Sequence, residues 1–138
     1  MANLTDDLKR VPLFSELSQR QLRHLAHDFK ERHFRAGATI VREGQMSGVD
    51  FFVILAGEAS VTVRGKEVGR LAAGSYFGEL ALIGERERLS TVTAWTDVRC
   101  LTMASWHFRK FVRSNPDVAW KLLQHLVGML SATLSAQQ

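Results

Sequence analysis

Gly74-Ser75-Tyr76-Phe77-Gly78-Glu79-Leu80-Ala81-Leu82-Ile83-Gly84 interrupts a region in which apolar residues otherwise return at every second position. Glu79 to Ile83 has the composition of one or two helical turns opened by Gly78, and a helix start leaves backbone N–H groups without intrahelical partners. Such a start is a seat for an anion. Nine residues beyond Glu79 stands Arg88, heading Arg88-Leu89-Ser90-Thr91-Val92-Thr93-Ala94, which leads into a further strand. Folded back on the helix start, this segment presents one guanidinium, one carboxylate and several N–H donors to a small ligand. Arg88 suits a phosphate and Glu79 a pair of hydroxyls.

Outward from this stretch the period is two. Ala59, Val61 and Val63 alternate with Ser60, Thr62 and Arg64, and Gly65-Lys66 offers a two-residue hairpin turn. Thr39 to Val41, Phe51 to Leu55, Thr91 to Trp95 and Val98 to Met103 are short apolar runs bounded by Gly or Asp, as in a sandwich or roll. Nine of the ten glycines fall between Gly37 and Gly84, so tight turns crowd into this middle segment and helices belong to its flanks.

At the front, Thr5 is placed to cap a short helix with Asp6 and Asp7 in its first turn and Lys9 and Arg10 at its end. Val11-Pro12 breaks it. Ser18 with Gln21 three residues on forms a capping box, and Leu22, Leu25, Ala26 and Phe29 follow at helical spacing, predicting a helix from Ser18 to Phe29. Behind the sheet, Phe108, Phe111 and Val112 mark one helix. Asn115-Pro116-Asp117 then supplies the N-cap, N1 proline and first-turn acid of another, from Pro116 to about Leu134.

Phe77-Gly78-Glu79-Leu80-Ala81-Leu82 through Arg88-Leu89-Ser90-Thr91-Val92 resembles the phosphate-binding cassette of the cyclic nucleotide-binding domain family, with the Glu-to-Arg spacing of protein kinase A regulatory subunits. The likeness extends to Val11-Pro12-Leu13-Phe14 and to the turn glycines Gly37, Gly44 and Gly57. It implies an α+β, mainly β fold. This is an eight-stranded antiparallel, jelly-roll-like β-roll over 34–104, with its cassette at 77–92, N-terminal helices in 1–33 and two C-terminal lid helices in 105–138, all one domain.

By the same resemblance, Arg88 with the Leu89 and Ser90 amides would hold the cyclic phosphate. Glu79 would accept from the ribose 2′-OH beside the Gly78 and Leu80 amides. Val61, Val63 and Ala81 would line the base pocket, and Met129 would cap the base. Leu89 stands where the family often carries a hydroxyl that supports guanine, which favours cAMP over cGMP. Glu85 and Glu87 add negative charge near the anion seat, and Arg86 offsets it. The implied role is a stand-alone cyclic nucleotide sensor that moves its flanking helices to signal to a protein effector in trans.

The alternative is a degenerate roll that binds no nucleotide and docks or dimerises through its apolar last helix. An isolated Glu and Arg would more often be a structural ion pair than a ligand site. No catalytic constellation points to an enzyme. A cupin-like metal barrel needs clustered imidazoles, and residues 34–106 hold no histidine. His24 and His27 at i, i+3 are a weak pair, so no metal or cofactor is implied.

The formal charge of +4 comes from 18 basic and 14 acidic residues scattered along the 138-residue chain, without a basic stripe for DNA. The charge-free run 122–138 is too polar for a membrane span. The N-terminus lacks the marks of a secretory signal and the single Cys100 demands no oxidising compartment, so the expected location is cytoplasmic.

Overall fold

β3 (Asp50–Ala56) is buried on both faces, and the architecture follows from that. Phe51 and Val53 turn to one apolar core while Phe52 and Ile54 turn to another. β8 (Val98–Ala104) divides the same way, with Leu101 and Met103 on one side and Val98 and Cys100 on the other. A strand buried on two sides reads as a continuous apolar run rather than an alternation.

The computed structural model describes residues 4–45, 50–84 and 87–136. Its remaining strands are β1 (Phe29–Phe34), β2 (Thr39–Val41), β4 (Ala59–Val63), β5 (Lys66–Leu71), β6 (Tyr76–Phe77) and β7 (Thr91–Ala94). They form two four-stranded antiparallel sheets, ordered β1-β8-β3-β6 and β2-β7-β4-β5. This is the eight-stranded roll. One core fills the space between the sheets, and the other lies between β1, β3, β8 and the helices. The helices are α1 (Leu4–Lys9), α2 (Gln19–Asp28), α3 (Glu79–Gly84), α4 (Ser105–Ser114) and α5 (Pro116–Ala136), with a 3-10 turn at Pro12–Phe14. Phe14, Phe29, Phe51, Phe108 and Phe111 join them to the sheet, the closest pair being Phe51 and Phe108 at 4.6 Å between centroids.

Several local expectations are corrected. β1 begins at Phe29, ahead of residue 34. It is an edge strand whose Lys30, Glu31, Arg32 and His33 all face solvent, so it carries no period-two signal. The hairpin turn is Arg64-Gly65 rather than Gly65-Lys66. Val63 pairs with Lys66, and Arg64 and Gly65 have φ of 53° and 80°, the two positive values of a primed turn.

Thr5 sits inside α1, buried, and its hydroxyl accepts from Gln19 Nε2 at 3.3 Å. Asn115 offers α5 its carbonyl, which accepts from Val118 and Ala119, while its side chain donates to Phe111 O and accepts from Gln21. The Ser18–Gln21 capping box forms as expected.

Candidate functional site

Three elements converge on Gly78, whose φ of +100° turns the chain from β6 into α3. A side chain at this position would place its Cβ 2.6 Å from Asp50 O and 2.8 Å from the Arg88 guanidinium, so close packing as well as backbone conformation requires glycine. Into the space left, Arg88 inserts its side chain. Its Nη2 donates to Asp50 O at 2.7 Å and its Nη1 to Gly78 O at 3.3 Å. The Arg88 backbone is pinned as well, by Arg88 N–H to Gln45 O and Gly44 N–H to Arg88 O.

Arg88 is only 4% exposed, and no carboxylate lies within ion-pairing distance of it among the described residues. Burial pulls its pKa down from the ordinary value, opposed by the carboxylates of Asp50 and Glu79. The guanidinium carbon lies 5.9 Å from the centroid of the Phe52 ring, at the outer limit of a cation–π contact. A buried cation held by two neutral carbonyls is under-compensated, and an anion beside it would complete the arrangement.

Glu79, the first residue of α3, is equally buried at 4% exposure, and its Oε2 has no hydrogen-bond partner. Burial raises its pKa above the usual carboxylate value, although its own backbone N–H and the Arg88 charge pull the other way. The isolated ion pair between Glu79 and Arg88 is not formed. An acceptor oxygen this deep ordinarily has a partner, so it marks a place for a donor from outside the protein.

Both side chains line one cavity of about 380 Å³, within the range of roughly 300–1,000 Å³ typical of small-molecule sites. Of the residues singled out from sequence, Val61, Gly78, Leu80, Ala81, Leu89, Ser90 and Met129 also line it. Val63 does not; it stands beside the Arg64-Gly65 turn, past the end of the cavity. Leu89 is 42% exposed and leaves the cavity open. The N–H groups of Leu89 and Ser90 donate to no backbone carbonyl among the described residues. Glu85 and Arg86 lie outside the described residues.

The structure adds lining residues that sequence reading missed. Val41, Leu71 and Val92 supply apolar wall, and Tyr76 and His125 meet across the mouth with ring centroids 5.0 Å apart. Burial and the Glu79 carboxylate together push the Tyr76 phenol up. α5 is fastened above the cavity by Lys121, whose Nζ donates to Pro12 O at 2.8 Å and to Ser15 Oγ at 3.3 Å. His125 carried no local signal, because one histidine on an apolar helix is ambiguous until the helix is placed. Among the described residues no metal-ligating cluster occurs, and no helix is long and apolar enough to cross a membrane.

An eight-stranded roll with a short helix and a buried arginine lining a small cavity has the architecture of a small-ligand-binding module. Residues 31–115 match the cyclic nucleotide-binding domain, and the chain belongs to that family. It is 36% identical over 108 residues to a cAMP-dependent protein kinase regulatory subunit of Eremothecium gossypii, matching 78% of this chain and 23% of that protein. It is 37% identical over 109 residues to a cyclic nucleotide-gated potassium channel of Mesorhizobium japonicum, over 79% of this chain and 30% of the channel. The chain therefore spans about a quarter of the length of these relatives. The regulatory domain of Toxoplasma gondii PKA, co-crystallised with cAMP, superimposes with a TM-score of 0.77 at 28% identity, over 88% of this chain and 49% of that one.

Because the folded chain holds the Glu79 proton more tightly than the unfolded chain does, the carboxyl costs nothing below its ordinary value of 4.5. It becomes destabilising as pH rises through the elevated folded value. Glu79→Gln is neutral throughout, so the apo variant should be more stable than wild type in urea at pH 7 and equally stable at about pH 4. A variant less stable at pH 7 would show that the ionised carboxylate has a stabilising partner.

Proposed function

We propose that this domain is a cAMP-responsive regulatory module, the nucleotide occupying the cavity under α5. The observation that carries the reading is the pairing, on one cavity, of a buried guanidinium and a buried carboxylate oxygen that among the described residues lack a carboxylate partner and a donor respectively. Arg88 neutralises the cyclic phosphate with help from the Leu89 and Ser90 amides. The Glu79 oxygen accepts from the ribose 2′-OH, with the Gly78 and Leu80 amides beside it. Val61, Ala81, Val41, Val92 and Leu71 receive the base, and Met129 and His125 close over it.

Leu89 brings no hydroxyl for guanine, which supports adenine. A charge-assisted hydrogen bond contributes about 1.5–3 kcal/mol net, so these contacts can reach the roughly 8 kcal/mol of a micromolar ligand. No catalytic step is assigned. α5 couples the site to the exterior: it roofs the cavity and is tied to Pro12 and Ser15 through Lys121. Occupancy then shifts the helices by whatever contacts α5 makes in only one arrangement, and an effector protein reads the result.

α5 carries a further feature. Trp120, Leu123, Val127, Leu130 and Leu134 are all more than half exposed and follow a 3-4-3-4 spacing, the seam of a two-stranded coiled coil. The reading this favours is a homodimer through α5.

Thermal unfolding in excess cAMP tests the nucleotide reading. At 100 times the dissociation constant the gain is about 2.7 kcal/mol, which should raise the midpoint by roughly 5–10 °C, with a smaller rise for cGMP and none for AMP. Arg88→Lys should abolish the rise. It should also lower apo stability by about 1–3 kcal/mol, because the Asp50 and Gly78 carbonyls lose their donors. No rise with either cyclic nucleotide would overturn the reading in favour of a ligand-free roll. For α5, light scattering should give a dimer mass for wild type and a monomer mass for Leu123→Glu combined with Leu130→Glu. A monomeric wild type would remove the seam's role.

A further inference from the structure

α2 and α4 carry five basic residues, of which Arg20 and Lys110 line one groove between the helices, and Asp28 is the only acid in either helix. Asp28 is already engaged, 3.3 Å from His107 Nδ1. The two helices run antiparallel and leave a groove of about 540 Å³ between them, distinct from the nucleotide cavity. At one end it is closed by the Gln21 Nε2 to Asn115 Oδ1 hydrogen bond of 3.1 Å, and at the other by the Asp28–His107 pair. Its floor is apolar, made by the buried Leu25 and half-buried Phe111, and Arg20, His24, His27 and Lys110 stand on its rims.

We propose that the groove between α2 and α4 docks an acidic peptide segment of a partner protein, with an apolar side chain set on Leu25 and Phe111 and carboxylates paired with Arg20 and Lys110. The chemistry favours peptide over nucleic acid. Phosphodiester binding rewards a continuous cationic track, whereas this slot is short, closed at both ends and floored by hydrocarbon. Rim charges steer and select the anionic partner, and the covered apolar floor supplies contact area. The site places a protein contact on two of the helices that flank the roll, and it stands whether or not the nucleotide reading holds.

The probe is a short fluorescein-labelled peptide of glutamates around one phenylalanine, followed by anisotropy and by amide shifts of the isotope-labelled chain. At about 20 mM salt it should bind and perturb α2 and α4, and binding should weaken as salt approaches about 0.15 M. Arg20→Glu combined with Lys110→Glu should weaken binding about tenfold or more, and Arg20→Gln with Lys110→Gln by an intermediate factor. Both positions are exposed, so the thermal midpoint of the neutralised pair should match wild type and keep the comparison valid. A peptide with lysine in place of glutamate should not bind. Equal affinity for the charge-reversed variant, shifts confined to other elements, or no binding at low salt would overturn the proposal. Tighter binding of single-stranded DNA or of phosphatidylserine vesicles at these residues would also overturn it.

Discussion

The Arg88 guanidinium, clasped by the carbonyls of Asp50 and Gly78, is the constraint on which the rest of the site depends. It fastens the start of β3, the joint between β6 and α3, and the segment entering β7, none of which is adjacent in sequence. A permanently charged group has been taken out of water, with two carbonyl dipoles in direct contact and the Asp50 and Glu79 carboxylates acting on it only from beyond ion-pairing distance. That arrangement is tolerable because two carbonyl oxygens solvate it. It is also incomplete, because no carboxylate among the described residues lies within ion-pairing distance of it. Glu79 mirrors the problem with opposite polarity, as a buried acceptor whose proton is favoured by burial. One small molecule carrying a phosphate and a hydroxyl would satisfy both.

Placement of this pair follows from the two-sided strands. β3 and β8 hold a helical core on one face and the inner core of the roll on the other, so the β3 start and the helices are fixed relative to one another. The cavity opens where the inner core ends, lined there by Phe77, whose ring stacks on that of Phe52 at 4.7 Å. α5 crosses above, fastened through Lys121 to the turn that begins at Pro12, itself a lining residue. Cavity, roof and N-terminal turn therefore share one mechanical neighbourhood.

Much of this was legible in the chain. The capping box at Ser18, the short helix after Gly78 and the strands that alternate or run apolar all come from local chemistry that tertiary packing reinforces. The convergence of Arg88 on Gly78 was legible too, from the glycine and from the segment's return toward the sheet. Other features depend on long-range placement. β1 is mostly solvent-exposed, so its strand character comes from pairing with β8 rather than from its own residues. Asn115 looks like a helix cap, yet its side chain is drawn to Phe111 and Gln21. His125 becomes a lining residue only once α5 crosses Tyr76, and Arg20 and Lys110 share a groove only after residues some ninety positions apart are packed together.

The most direct measurement is the ³¹P resonance of cAMP titrated with this chain. A phosphate seated against Arg88 should give a bound line displaced from free cAMP for wild type and a line at the free position for Arg88→Lys. A wild-type spectrum indistinguishable from free nucleotide, or a displaced line that survives in the lysine variant, would contradict the assignment of this guanidinium as the phosphate seat.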